Sequence, residues 1–158
     1  MTIAMNKLLI TFLYTLATAI CVVSNTAVAT EDILTARTSS DFESTLEKSK
    51  LVLEEHNFTV AHVQRCDGGL RQMGYHTDNY KIIFFGRLEE VREVTRAHPE
   101  LMPFLPLKLA VFAEKDETLL SIVNPTSILA MMPALEKELQ PLFSKWEKEL
   151  RQVLAEFQ

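Results

Sequence analysis

Tyr80–Gly86 reads Tyr-Lys-Ile-Ile-Phe-Phe-Gly, and its four consecutive large apolar residues leave the chain few ways to fold. The run is too short to cross a membrane, and its β-branched and aromatic content predicts a strand. Successive strand side chains point to opposite faces, so Ile82 and Phe84 share one face while Ile83 and Phe85 share the other. Both faces are therefore apolar. A sheet built on such a strand is expected to be covered on both sides, by helices or by a partner subunit.

The first residues of the chain follow a different pattern. Between Lys7 and Glu31 no charged residue occurs, Leu8–Val23 is almost wholly apolar, and Ala27-Val28-Ala29 closes the segment. One positive charge, an apolar core and a small-x-small ending predict a secretory signal peptide over 1–29, cleaved after Ala29. Retention as an anchor helix is the competing reading, because the apolar part nearly reaches spanning length. The expected location is the periplasm or beyond, with no membrane span left after cleavage. Without Lys7 the chain has 15 basic residues against 21 acidic, a net charge of −6. Such a domain has no electrostatic footprint for nucleic acid.

Strand and helix patterns alternate through the remainder. Ile33, Thr35 and Arg37 alternate with Leu34 and Ala36 as a first strand. Ser40 and Glu43 form a capping box, and Phe42, Leu46, Ser49, Leu53 and His56 recur at helical spacing up to Asn57. In the strand Phe58–Arg65, Phe58, Val60, His62 and Gln64 should share one face, and Thr59, Ala61, Val63 and Arg65 the other. Cys66-Asp67-Gly68-Gly69 reads as a turn, with a short helix or loop over Leu70–Tyr75. After the central strand, Leu88, Val91 and Val94 mark a helix that Pro99 halts. Pro99–Pro106 is an apolar connector, Leu107–Glu114 and Thr118–Val123 are a hairpin, and Asn124-Pro125 ends it. From Thr126 onward the pattern is helical. Leu135, Leu139, Leu142, Trp146, Leu150, Val153 and Phe157 form a stripe, with a kink or a new helix at Pro141. The order is β-α-β-(short α)-β-α-β-β-α, an α+β fold with a small sheet and helices packed on it. Residues 30–129 form the domain and 130–158 a C-terminal amphipathic extension.

Several segments together resemble the domain of unknown function 302 family. These are the Phe-led helix, the entry Asn57-Phe58-Thr59-Val60, the apolar strand ending at Gly86, Leu105-Pro106-Leu107-Lys108-Leu109-Ala110-Val111, the acidic hairpin and Asn124-Pro125. The resemblance runs from Leu34 to Leu129. It implies a small α+β domain with a tendency to form homodimers, and it implies no reaction. Family members commonly carry Asn-Pro directly after the central strand, where this chain has Arg87-Leu88.

The candidate chemistry lies in His62, Cys66, Met73 and His76. Even separation would put His62 and Cys66 on one face of a strand, and a glycine turn could fold Met73 and His76 back. Imidazole, thiolate and thioether suit copper or a haem iron in an exported protein. The spacing matches no established signature, and the competing reading makes Cys66 a small buried hydrophobe among surface histidines. Cys66 is the single thiol after cleavage, so it can be inert, bridged between chains, or a nucleophile with His62 or His76 as base and Arg65 as positive field. The pairs Glu54-Glu55, Glu89-Glu90 and Asp116-Glu117 read as solvated surface. Met102, Phe104, Leu105, Met131 and Met132 fill a core or line an apolar pocket. The chain is expected to be a homodimeric, non-enzymatic binding or accessory protein, with a periplasmic protein as a further partner.

Overall fold

A computed structural model describes residues 31–158, and the expected signal peptide lies outside the described residues. Five antiparallel strands form one sheet in the order β1-β5-β4-β3-β2. They are β1 (Ile33–Thr38), β2 (Thr59–Arg65), β3 (Tyr80–Gly86), β4 (Leu107–Glu114) and β5 (Glu117–Val123). The helices are α1 (Phe42–Glu55), α2 (Cys66–Gln72), α3 (Leu88–Ala97), α4 (Pro125–Ala130) and α5 (Pro133–Ala155). The fold is thus α+β, in the expected order of elements.

Alternation along the strands sets the two faces of the sheet. Leu34, Ile83, Phe85, Leu107, Leu109, Val111, Leu120 and Ile122 point inward and are almost fully buried. Against them pack Phe42, Leu46, Val52 and Leu53 of α1, and Leu139, Phe143, Trp146, Leu150, Val153 and Leu154 of α5. Residues 130–158, read from the sequence as an extension, therefore contribute a large part of the same core. Pro133 opens α5 at a position where its missing N–H is harmless, and the helix runs through Pro141 without a break. The interruption falls earlier, at Met131 and Met132 between α4 and α5.

Two local expectations are corrected. The cap of α1 is Asp41, whose Oδ1 accepts the Ser44 N–H at 3.0 Å, whereas Ser40 offers its carbonyl oxygen to the Thr118 hydroxyl at 2.9 Å. Its neighbour Glu43 is drawn to Lys81 at 2.9 Å instead of closing a capping box. In β2 a bulge lies between Val60 and His62, so Val60 opposes Phe85 and Val63 opposes Ile83, and both valines pack on the core. The extra residue, Ala61, shifts the alternation by one. At the end of β3 the chain needs glycine because α3 crosses close by: a Cβ on Gly86 would lie 2.8 Å from Val91 Cγ2.

Candidate functional site

The second face of the sheet is apolar and open. Register pairs Ile33 with Val123, Ile82 with Ala110 and Tyr80 with Phe112, all outward, and Phe84 and Leu119 extend the patch. These side chains are half-buried by their neighbours, apart from Ile33 and Val123, which are 42% and 45% exposed. β3, next to the middle strand β4, is apolar on both sides, as its sequence required, yet α1 and α5 bury only the inward one.

The two ends of this open face differ in charge. At one end Lys108 donates to the Pro103 carbonyl at 3.0 Å and sits 5.9 Å over the Phe84 ring. Burial pushes its ammonium below the ordinary lysine value. Beside it a cavity of about 50 Å³ is lined by Phe104, Leu107, Val123 and Ile128. At the other end a hollow of about 660 Å³ is lined by Asp78, Phe112, Glu114, Lys115, Asp116 and Glu117. Four carboxylates there meet two cations, Lys115 and the Arg37 guanidinium paired with Glu114 at 2.9 Å.

The residues singled out from the sequence lie along β2, α2 and the following loop. His62 is exposed on the outward side of β2, 6.2 Å from the Phe84 ring, with Nε2 3.3 Å from Gln64 Oε1. Cys66 is the first residue of α2, so strand parity does not link it to His62. Met73 caps the other end of the same helix and is 69% exposed. Seven helical residues place the two sulfur-bearing positions about 10 Å apart along the axis. His76 lies exposed in the loop before β3. Among the described residues, no group of three or more His, Cys, Asp or Glu side chains is arranged to hold a metal ion.

Cys66 is half-buried, and burial first and the Asp67 carboxylate second raise its thiol above the ordinary cysteine value. A nucleophilic cysteine needs the opposite shift. Asp67 itself is 95% buried by a relative exposure of 5%; its Oδ2 lies 3.5 Å from Arg71, and its Oδ1 has no hydrogen-bond partner among the described residues. Tyr80 next to this corner is raised too, by burial and by the Cys66 charge.

Arg87, directly after β3, works as a clasp for α5. Its guanidinium pairs with Glu149, donates to the His56 carbonyl at 3.2 Å and covers the Phe58 ring at 4.9 Å. Nearby, Glu90 accepts from Trp146 Nε1 at 2.7 Å and from Lys145 at 2.8 Å. A second clasp runs through buried Asn124, which donates to the Glu31 carbonyl at 2.8 Å and accepts from Thr126. Thr126 in turn donates to Glu147, which holds Arg151 at 2.8 Å. The Asn-Pro signal in the sequence marked this second clasp only as a strand end, and nothing local foretold the first. Met102 and Met131 lie exposed, whereas Leu105 is buried and Phe104 and Met132 pack on the core.

Comparison with known proteins follows the same lines. No curated protein matches the chain. A crystal structure of an uncharacterized conserved protein DUF302 from Bacillus stearothermophilus is similar, with a TM-score of 0.70 and 24% identity. The alignment covers 80% of this chain and 98% of that one. The model of the family "Domain of unknown function DUF302" matches residues 34–157, which takes in all five strands and α5. On that match the chain belongs to the DUF302 family.

Proposed function

We propose that this chain is an exported, non-enzymatic binding or accessory protein of the periplasm that works through the open face of its sheet. The observation that carries the reading is the apolar surface formed by Ile33, Ile82, Phe84, Ala110, Leu119 and Val123. Contiguous apolar surface is costly to leave in water, and on a stable domain it marks an interaction site. Export is supported by the uncharged apolar stretch ahead of Ala27-Val28-Ala29. A catalytic role for Cys66 draws no support from its surroundings, which disfavour the thiolate. In the described structure neither His62 nor His76 hydrogen-bonds to it.

Fractionation and photo-crosslinking test both parts. Cells making the chain with its own first 29 residues should yield a periplasmic polypeptide beginning at Thr30. A photoreactive side chain at Ala110 should capture a protein in those cells, and one at Glu93, on the exposed side of α3, should not. A full-length polypeptide held in the cytoplasm refutes export, and an Ala110 probe that captures nothing refutes the binding face.

A further inference from the structure

We infer that the partner taken up by the open face is an apolar segment of another protein carrying one carboxylate, which sets that carboxylate on Lys108 and an aliphatic side chain in the cavity beside it. The inference rests on the reading of that face as the binding surface and names the chemistry of its partner.

The two ends of the face differ in what their cations already hold. Arg37, outward on β1, is spent on Glu114 at 2.9 Å at the hairpin end, where Asp78, Asp116 and Glu117 add further negative charge. Across the opposite end run Val123, Lys108, Phe84 and His62, one residue from each of β5, β4, β3 and β2. Lys108 there has no carboxylate within ion-pair distance among the described residues. Its Nζ donates to the Pro103 carbonyl at 3.0 Å, and burial alone acts on its ammonium, lowering it. An ammonium carries three N–H donors, so two remain for an acceptor.

Covering that end with apolar surface alone would leave a buried charge unpaired, which is strongly destabilising. A basic partner would place cations against it. A carboxylate turns the cost into an attraction. The same group is repelled by the hairpin end, so one negative charge fixes which way round the partner lies.

The cavity decides the size class of the partner. It measures about 50 Å³ and is lined by Lys108 itself with Phe104, Leu107, Val123 and Ile128. That is less than two shares of liquid water at about 30 Å³ each, and far below the about 300 Å³ of a small-molecule pocket. It takes the tip of one aliphatic side chain whose backbone stays outside. An acyl chain laid on the flat remainder would keep one side in water, and the larger hollow at the hairpin end is acidic and repels an anion. Five strands about 4.8 Å apart and about 20 Å long present roughly 480 Å² of flat outline. This falls short of the about 800 Å² per partner of a standard interface and suits a segment better than a whole domain.

Selection of a displayed random-peptide library on protein purified from cells making the full chain tests the inference. Enriched peptides should share an Asp or Glu next to Val, Leu or Ile. A synthetic copy of the best of them should bind Lys108→Glu about tenfold or more weakly. Selection against Lys108→Glu itself should return Lys or Arg in place of the acid. Should that variant lose its circular dichroism, Lys108→Met keeps the apolar stem and should abolish the preference for an acid. Ala110→Arg should abolish binding. No enrichment, enriched peptides without a shared carboxylate, or a preference that the Lys108 variants leave unchanged overturns the inference. So does a fatty acid extracted from the protein and absent from Ala110→Arg, or a two-chain mass in sedimentation that Ala110→Arg halves. In those two cases the face remains the binding surface with a different occupant. Peptide binding that Ala110→Arg leaves intact overturns the inference, and an Ala110 probe that captures nothing in cells sinks the binding-face reading with it.

Discussion

Replacing Gly86 by alanine adds a single methyl where α3 crosses the end of β3. That carbon would lie 2.8 Å from Val91 Cγ2, where ordinary contact begins at 3.4 Å. Gly86 does not adopt a left-handed conformation, so alanine fits its backbone, and the unfolded chain loses entropy worth about 0.4–1 kcal/mol in favour of folding. Overpacking a close contact costs about 1–3 kcal/mol. Val91 cannot turn aside cheaply, because a β-branched residue in a helix is held to one preferred rotamer. The net expectation is a loss of about 1–2 kcal/mol for Gly86→Ala. For a domain between the surveyed size classes that is a fall of roughly 3–10 °C in Tm. Val91→Ala removes the offending methyl, so the double variant should recover most of the loss, with a coupling of about 1–2 kcal/mol between the sites. Thermal unfolding followed by circular dichroism measures all four proteins. A Gly86→Ala variant as stable as the wild type, or a double variant that is merely additive, would refute the argument that the helix crossing is what demands glycine.

Other expectations follow from the clasps and the thiol. Burial pushes Glu90 up, but hydrogen bonds from Lys145 and Trp146 and the charges of Lys145 and Arg87 outweigh it and hold the carboxyl below its ordinary 4.5. Glu147 is lowered in the same way, with burial outweighed by Thr126, Arg151 and Asn124. A depressed carboxyl stabilises the fold above its unfolded pKa and loses that contribution as pH falls through the folded value. Stability should therefore drop below about pH 4.5. Acid titration of a Glu90→Gln, Glu147→Gln variant should show a shallower drop, and an unchanged slope would count against the clasps. Trp146→Phe keeps most of the buried ring but removes the Nε1 donor to Glu90, and should cost about 1–3 kcal/mol in urea unfolding. A change within error would mean that Lys145 alone suffices. Cys66, its thiol raised by burial and by Asp67, should be alkylated more slowly at neutral pH than a free cysteine, and faster only as pH approaches and passes 9.0. Rapid labelling at pH 6 would contradict that environment.

Much of the fold was legible because its signals are local. The apolar run at Tyr80–Gly86, the helix behind Phe42 and the hairpin at Lys115-Asp116 each declare themselves within a dozen residues. What escaped was set by distant parts of the chain. The bulge at Ala61 depends on how β2 meets β3, and no period in β2 alone reveals it. Ser40 and Asp41 are both competent caps; Asp41 takes the role, while the Ser40 carbonyl accepts from Thr118, far along the chain. Cys66-Asp67-Gly68-Gly69 reads as a turn because of its glycines, yet a helix begins at Cys66 directly after the strand. Period-two reading revealed that Ile82 and Phe84 face a different side from Ile83 and Phe85. It could not reveal that α1 and α5 would both go to the side of Ile83. The candidate surface was thus implicit in four residues, while its location needed the whole sheet.

The clasp between Glu31 and Arg151 joins positions separated by 120 residues. Leu139 to Phe157 share one core with α1 and the inner side of the sheet, so that core is only partly covered until α5 is in place. One helix thus stitches the start of the domain to its end, and loosening either terminus exposes the same core.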